Sequence, residues 1–187
     1  MRGAASACMQ RRSVEVVADV LNRRGARYLL VGGLAVVAHG YLRTTQDIDI
    51  ILDLDDPGNV RTALEGLREL RYQSVLPVPL EDFVDPAKRE EWARTKDAKV
   101  FRLSSPEHPS TPVDLFVELP FPFAPAYARA MTETLGPGGI RATFVGLEDL
   151  IAMKRQAGRP QDLADIAQLV QIQERLRDES AEPPRSF

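Results

Sequence analysis

From Ser13 to Arg24 the apolar residues Val14, Val17, Ala18 and Leu21 recur at i, i+3, i+4 and i+7, one face of a helix. Gly25 follows as a C-terminal stop. Tyr28–Val31 is an unbroken apolar run, read as a buried strand that Gly32 and Gly33 interrupt. Leu34–His39 suits a short helix and Tyr41–Gln46 a polar loop. Asp47–Leu52 alternates polar and apolar over its first four residues and is rich in isoleucine, the pattern of a strand. Asp55, Asp56 and Pro57 read as a helix entry, with a capping acid and proline in the first turn. Val60, Ala63, Leu64 and Leu67 supply that helix's apolar stripe.

Residues 73–97 give no single pattern, because Pro77, Pro79 and Pro86 interrupt them; a polar helix over Ala87–Arg94 is expected there. Ala98–Leu103 and Val113–Val117 read as strands joined by a Ser/Pro-rich turn. Ala124–Thr134 is read as helical, Gly136–Gly139 as a turn and Ile140–Val145 as a strand. Leu147–Gln156 and Gln161–Leu176 are helices split by Gly158, Arg159 and Pro160. No internal repeat is visible. Strands and helices are intermixed, with strands in succession mid-chain, so the expected class is α/β (α+β), a sheet with helices packed on it. The expected division is a flexible leader at 1–9, a core domain at 10–145, a C-terminal helical part at 146–177 and a flexible tail at 178–187.

Composition narrows this picture. A chain of 187 residues, 44% hydrophobic and 27% charged, is globular and long enough to build a core without staples. The single cysteine, Cys8, excludes a disulfide framework and a multi-cysteine zinc site. The longest apolar run, Tyr28–Ala38, has 11 residues and includes two glycines, too short to span a bilayer. The start, MRGAASACMQRR, has too short an apolar part for a signal peptide, so a cytoplasmic protein is expected, with no membrane partner. Lys and Arg number 24 against 27 Asp and Glu, a net charge of −3. This excludes a broadly basic nucleic-acid binder but leaves room for a local basic groove.

Four features carry candidate chemistry. Asp47 and Asp49, at i and i+2 of a strand, share a face opposite Ile48, Ile50 and Leu52. Two adjacent carboxylates repel unless a proton or cation intervenes, and such oxygen pairs suit Mg²⁺ beside substrate phosphates. The plainer reading is a strand with a solvated outer face. Gly32-Gly33 lies at a strand-to-helix junction, where free N–H groups and close backbone approach suit phosphate; it is also an ordinary turn signal. Asp114, inside the apolar run VDLFVE, is either the third carboxylate of a metal site or an exposed edge-strand acid. Lys154 occupies the i+7 position of the stripe of Leu147, Leu150 and Ile151. It either snorkels to the surface or is a cation directed at phosphate. Arg159, Asp162 and Asp165 follow it, the two acids on one helical side. His39 and His108 are read as packing and loop residues, and Cys8 and Trp92 have no partner visible in the sequence.

The run VGGLAVVAHGYLRTTQDIDIIL resembles the DNA polymerase β-type nucleotidyltransferase superfamily, whose motif is a Gly-Gly or Gly-Ser turn, an acid–hydrophobic–acid strand and a third acid on a later strand. Thirteen residues separate Gly33 from Asp47, near the long end for that motif. Arg43–Asp49 and LEDLIAMKRQAGRPQDLADIAQL (Leu147–Leu169) look closer to the AbiEii-like branch, from abortive-infection and type IV toxin–antitoxin systems. The resemblance covers about residues 27 to 170, with 60 to 110 matching only in outline. It implies a short mixed sheet with the acidic strands at its centre and flanking helices. It also implies an enzyme that moves a nucleoside monophosphate from an NTP to a hydroxyl, with pyrophosphate released. Two Mg²⁺ ions would be held by Asp47, Asp49 and Asp114, and Gly32 and Gly33 would cradle the β- and γ-phosphates. Asp114 would also help deprotonate the acceptor, and Lys154 would stabilise phosphate charge. Arg43 would bind triphosphate or position the strand turn, Arg159 would bind nucleotide, and Asp162 would orient Lys154 or the base. The acceptor stays open among a tRNA end, a partner protein such as a cognate toxin or antitoxin, and a small molecule. The AbiEii-type enzymes carry a larger C-terminal helical domain than this chain does. The alternative is a non-catalytic nucleotide-binding or protein-interaction module on the same fold.

Overall fold

A computed structural model describes the backbone of residues 2–181 and the side chains of residues 12–178. Helix α1 (Arg2–Arg23) presents Val14, Val17, Ala18 and Leu21 to the core and ends at Gly25, which has φ 72°. It takes in backbone that the sequence reading gave to a flexible leader, while the side chain of Cys8 lies outside the described residues. Strand β1 (Tyr28–Leu30) leads into α2 (Gly32–Ala38), which starts on the glycine pair itself. Strand β2 (Ile48–Leu52) is followed by α3 (Pro57–Glu69). The Asp56 carboxylate caps α3 by accepting from the N–H groups of Gly58 and Asn59 at 2.9 and 3.1 Å. Pro57 sits where a missing N–H costs nothing.

Then come β3 (Gln73–Ser74), a 3₁₀ turn at Leu80–Val84 and α4 (Pro86–Lys96). Strands β4 (Val100–Ser104) and β5 (Val113–Phe116) follow, and then α5 (Phe123–Ala128). Strands β6 (Met131–Leu135) and β7 (Ile140–Phe144) precede α6 (Leu147–Ala157) and α7 (Pro160–Ala181). Helix α7 thus runs through the first residues expected in the tail, and residues 182–187 lie outside the described residues.

The strands form one sheet in the order β3-β4-β5-β2-β1-β7-β6. β2 pairs parallel with β5 and β1 parallel with β7, while the remaining pairs are antiparallel. The sheet is therefore mixed, and β2 lies at its centre, as the resemblance implies. Ile48, Ile50, Ile51, Val113 and Leu115 are fully buried there, under helices on the sheet faces. Helix α2 packs on β2 and α6, α6 on α7, and α1 on α3 and β7.

Two strands were not legible in the sequence. Ala124–Thr134 is not one helix: α5 stops at Ala128 and Met131–Leu135 pairs with Ile140–Phe144 as a hairpin. Thr132, Glu133 and Thr134 are exposed, so β6 has no apolar periodicity to betray it. β3 is only two residues long. Trp92 also turns inward from its polar helix. It stacks on Phe101 with centroids 5.1 Å apart and is 8% exposed. Trp92→Ala should cost about 3–4 kcal/mol of stability, checked by urea unfolding.

Candidate active site

The glycine pair and the acidic strand fit each other by shape. Gly32 has φ 60°, and a Cβ there would lie 1.8 Å from Asp49 Oδ2. The Asp49 carboxylate fills the space a side chain at 32 would need. A Cβ on Gly33 would lie 2.6 Å from Thr45 Oγ1 and 2.7 Å from Arg43 Nη2. So the loop before β2 folds back over Gly33, and Arg43 is drawn against the turn. The N-cap of α2, Val31, offers no side-chain acceptor to the first N–H groups of that helix.

Asp49 and Asp114 are direct partners across the parallel pair β2–β5. Arg102 is the partner of Asp114 across β5–β4. Three charged residues therefore stand in a row across the centre of the sheet. Arg102 donates from Nε to Asp114 Oδ1 at 2.8 Å and from Nη2 to Asp114 Oδ2 at 2.6 Å. The same Nη2 reaches Asp47 Oδ2 at 3.3 Å. Asp47 lies just before the strand. Asp114 is buried rather than the exposed edge acid of the plainer sequence reading. Arg102 had no place among the sequence candidates. The alternation Phe101–Arg102–Leu103 marks it as facing away from the apolar side, but only the strand register places it beside Asp114.

The C-terminal helices add a second cluster. Lys154 is 4% exposed and does not snorkel to the surface. Its Nζ donates to Asp162 Oδ1 at 3.1 Å and to Asp165 Oδ2 at 2.7 Å. Asp162 Oδ2 also accepts from Arg159 Nε at 2.7 Å and from the Arg159 backbone N–H at 3.3 Å. The latter is the reciprocal half of a helix-start capping arrangement. Asp165, fully buried, accepts from Gln161 at 3.1 Å, and Arg43 Nε lies 3.3 Å from its Oδ1. Asp165 thus ties the loop before β2 to α7, a role the sequence spacing hinted at only by placing it on the side of Asp162. His39 donates from Nε2 to the Val145 carbonyl at 2.8 Å, and His108 stacks on Tyr72; both are packing residues.

Residues 12–175 match the family described as nucleotidyltransferase of unknown function (DUF6036). The chain belongs to this nucleotidyltransferase family. No curated protein matches it closely enough to name a relative. No described helix is long and apolar enough to cross a membrane.

In this member of the nucleotidyltransferase family, burial pushes the Asp49 carboxyl up to about 7, with the Asp47 and Asp114 carboxylates adding to the rise. Arg159 and Lys154 oppose the shift. Asp49 therefore faces acids on one side and the two C-terminal cations on the other. Burial also raises Asp162, but hydrogen bonds from Arg159 and Lys154 outweigh it and hold that carboxyl below its usual range.

The donor set, two carboxylates on neighbouring strands and a third just before one of them, suits a hard cation such as Mg²⁺. Such an ion would relieve the part of the Asp49 shift that the Asp47 and Asp114 carboxylates cause. Among the described residues, however, no three His, Cys, Asp or Glu side chains converge closely enough to hold a metal. The side chains are arranged around the Arg102 guanidinium instead, which already bridges Asp47 and Asp114.

Two outcomes follow from these electrostatics. Asp49 has a folded-state value raised from 3.8 to about 7, so the folded protein keeps a proton the unfolded chain has lost. Stability in EDTA should fall as pH rises across that window. Asp49→Asn removes the loss. Its melting temperature should exceed the parent's at pH 8 and converge with it near pH 4, as read by calorimetry. Asp165→Asn leaves Lys154 short of one buried counter-charge and should cost about 3 kcal/mol in urea unfolding.

Proposed function

We propose that the protein is an Mg²⁺-dependent nucleotidyltransferase that moves a nucleoside monophosphate from an NTP to a hydroxyl acceptor. The observation that supports this most is the in-register pair Asp49–Asp114 at the sheet centre, beside a Gly32 whose absent side chain Asp49 replaces.

Asp47, Asp49 and Asp114 would hold the metal. Bound Mg²⁺ would neutralise triphosphate charge and stabilise the attacking and leaving oxygens. Gly32 and Gly33 expose backbone on which the β- and γ-phosphates can rest without a side chain intervening. In the reaction the acceptor oxygen bonds to the α-phosphorus, the bond from that phosphorus to the β-bridging oxygen breaks, and pyrophosphate leaves. Asp114 would take the acceptor proton. Arg159, whose side chain is 75% exposed, is the cation free to meet phosphate. Lys154, enclosed by Asp162 and Asp165, would act from behind by fixing the carboxylate that tethers Arg159. Arg43, held between Gly33 and Asp165, positions the loop that delivers Asp47.

The loop before β2 and the α6–α7 run resemble the AbiEii-like enzymes, and that likeness supports a role in a toxin–antitoxin pair. A tRNA end, a cognate partner protein and a small hydroxylated molecule are the acceptor classes to test. One observation favours a second reading, a non-catalytic nucleotide-binding or interaction module: the acids are already partly neutralised by Arg102.

The deciding assay incubates the protein with each labelled NTP, Mg²⁺ and, in turn, total RNA, cell extract and small hydroxylated acceptors. Transfer of label should be lost by at least about a thousandfold in Asp49→Asn, the scale for removing an electrostatic catalytic group. That variant is expected to fold more stably than the parent, so lost activity is not lost structure. Nucleotide binding with no transfer to any acceptor supports the module instead.

A further inference from the structure

We propose that Arg102 is a cation latch: its guanidinium occupies the carboxylate site and swings out when a divalent cation enters. The inference rests on the metal-binding reading given above.

The argument begins with register. Arg102, Asp114 and Asp49 stand in one row across β4, β5 and β2, so the guanidinium is delivered to the acids by the sheet itself. Its two bonds to Asp114, at 2.8 and 2.6 Å, form the parallel fork by which arginine recognises a carboxylate. The third contact, at 3.3 Å to Asp47, spans the other candidate ligand. One group thus engages two of the three acids, and no metal-holding cluster forms among the described residues.

Exposure shows which partner can move. The Asp114 side chain is 5% exposed and fixed in the sheet, whereas that of Arg102 is 50% exposed. The Arg102 backbone stays in place during release, since its carbonyl accepts from Val75 N–H at 3.0 Å. Only a half-exposed side chain must rotate into water, which is cheap. While it is latched, the fork removes two ligands and its positive charge opposes a cation. The latch also offsets the mutual repulsion of the acids when no metal is present.

The test is a Mn²⁺ titration by calorimetry of the parent, Arg102→Gln and Arg102→Lys, with folding checked by circular dichroism. If Arg102 competes with the metal, Arg102→Gln should bind Mn²⁺ about tenfold more tightly, equivalent to about 1.4 kcal/mol. Arg102→Lys keeps the charge but loses the fork, and its affinity should lie between the two. Without metal, Arg102→Gln should melt below the parent, and saturating Mn²⁺ should raise it by more. Unchanged or weaker Mn²⁺ binding in folded Arg102→Gln overturns the latch and leaves the metal site standing. Absence of Mn²⁺ binding in all three proteins overturns the metal reading and the latch with it.

Discussion

Two carboxylates held side by side on adjacent strands repel each other, and much of the surrounding structure answers that repulsion. Asp49 and Asp114 are fixed in register by the backbone hydrogen bonds of β2 and β5, so neither can move away. Three responses are visible. The Asp49 carboxyl is pushed up to about 7, by burial first and by the neighbouring acids in addition. Arg102 clamps Asp114 from the other flank. Lys154 and Arg159 oppose the rise of Asp49 from the C-terminal helices. Each response is itself supported, by the β4 ladder in one case and by Asp162 and Asp165 in the other. A site under such tension is stabilised by cations, which is the property a triphosphate-handling enzyme requires.

The sequence made the centre of this arrangement legible and left its periphery dark, for a physical reason. The alternation in DIDI and the apolar setting of Asp114 follow from strand periodicity, which is local. So do the capped start of α3, at Asp56 and Pro57, and the helix carrying Lys154. Arg102 depends on which strand lies next to β5 and in what register, and no local pattern encodes that. β6 failed for another reason. A strand exposed on both faces owes its conformation to its partner β7, not to its own residues. Trp92 shows the same limit, since its polar neighbours in α4 conceal that one aromatic turns toward Phe101.

The C-terminal charges show how far tertiary context reassigns a residue. On the sequence, Lys154 could end in water or point at substrate. In the structure its ammonium is satisfied by Asp162 and Asp165 and never reaches open solvent. Arg159, a few residues on, is tethered by the same Asp162 yet remains exposed. The two cations thus divide the work. One fixes the shared carboxylate from inside the protein, and the other faces outward where an anion can approach. Asp165 binds this pair to Arg43 and through it to the glycine turn.

The threading of the sheet has a consequence for how the chain comes off the ribosome. β1 is hydrogen-bonded on one side to β2, close by in sequence, and on the other to β7, where Leu30 meets Phe144. Asp47 and Asp49 are synthesised long before Arg102, Lys154 or Arg159 emerge. Pairings of this range form late, because long loops must close before any contact rewards them. Arg102 is made before Asp114, so the strand pair that brings the acids together already carries one cation beside them. Lys154 and Arg159, at the end of α6 and the start of α7, are the last cations of the cluster to be added to the chain.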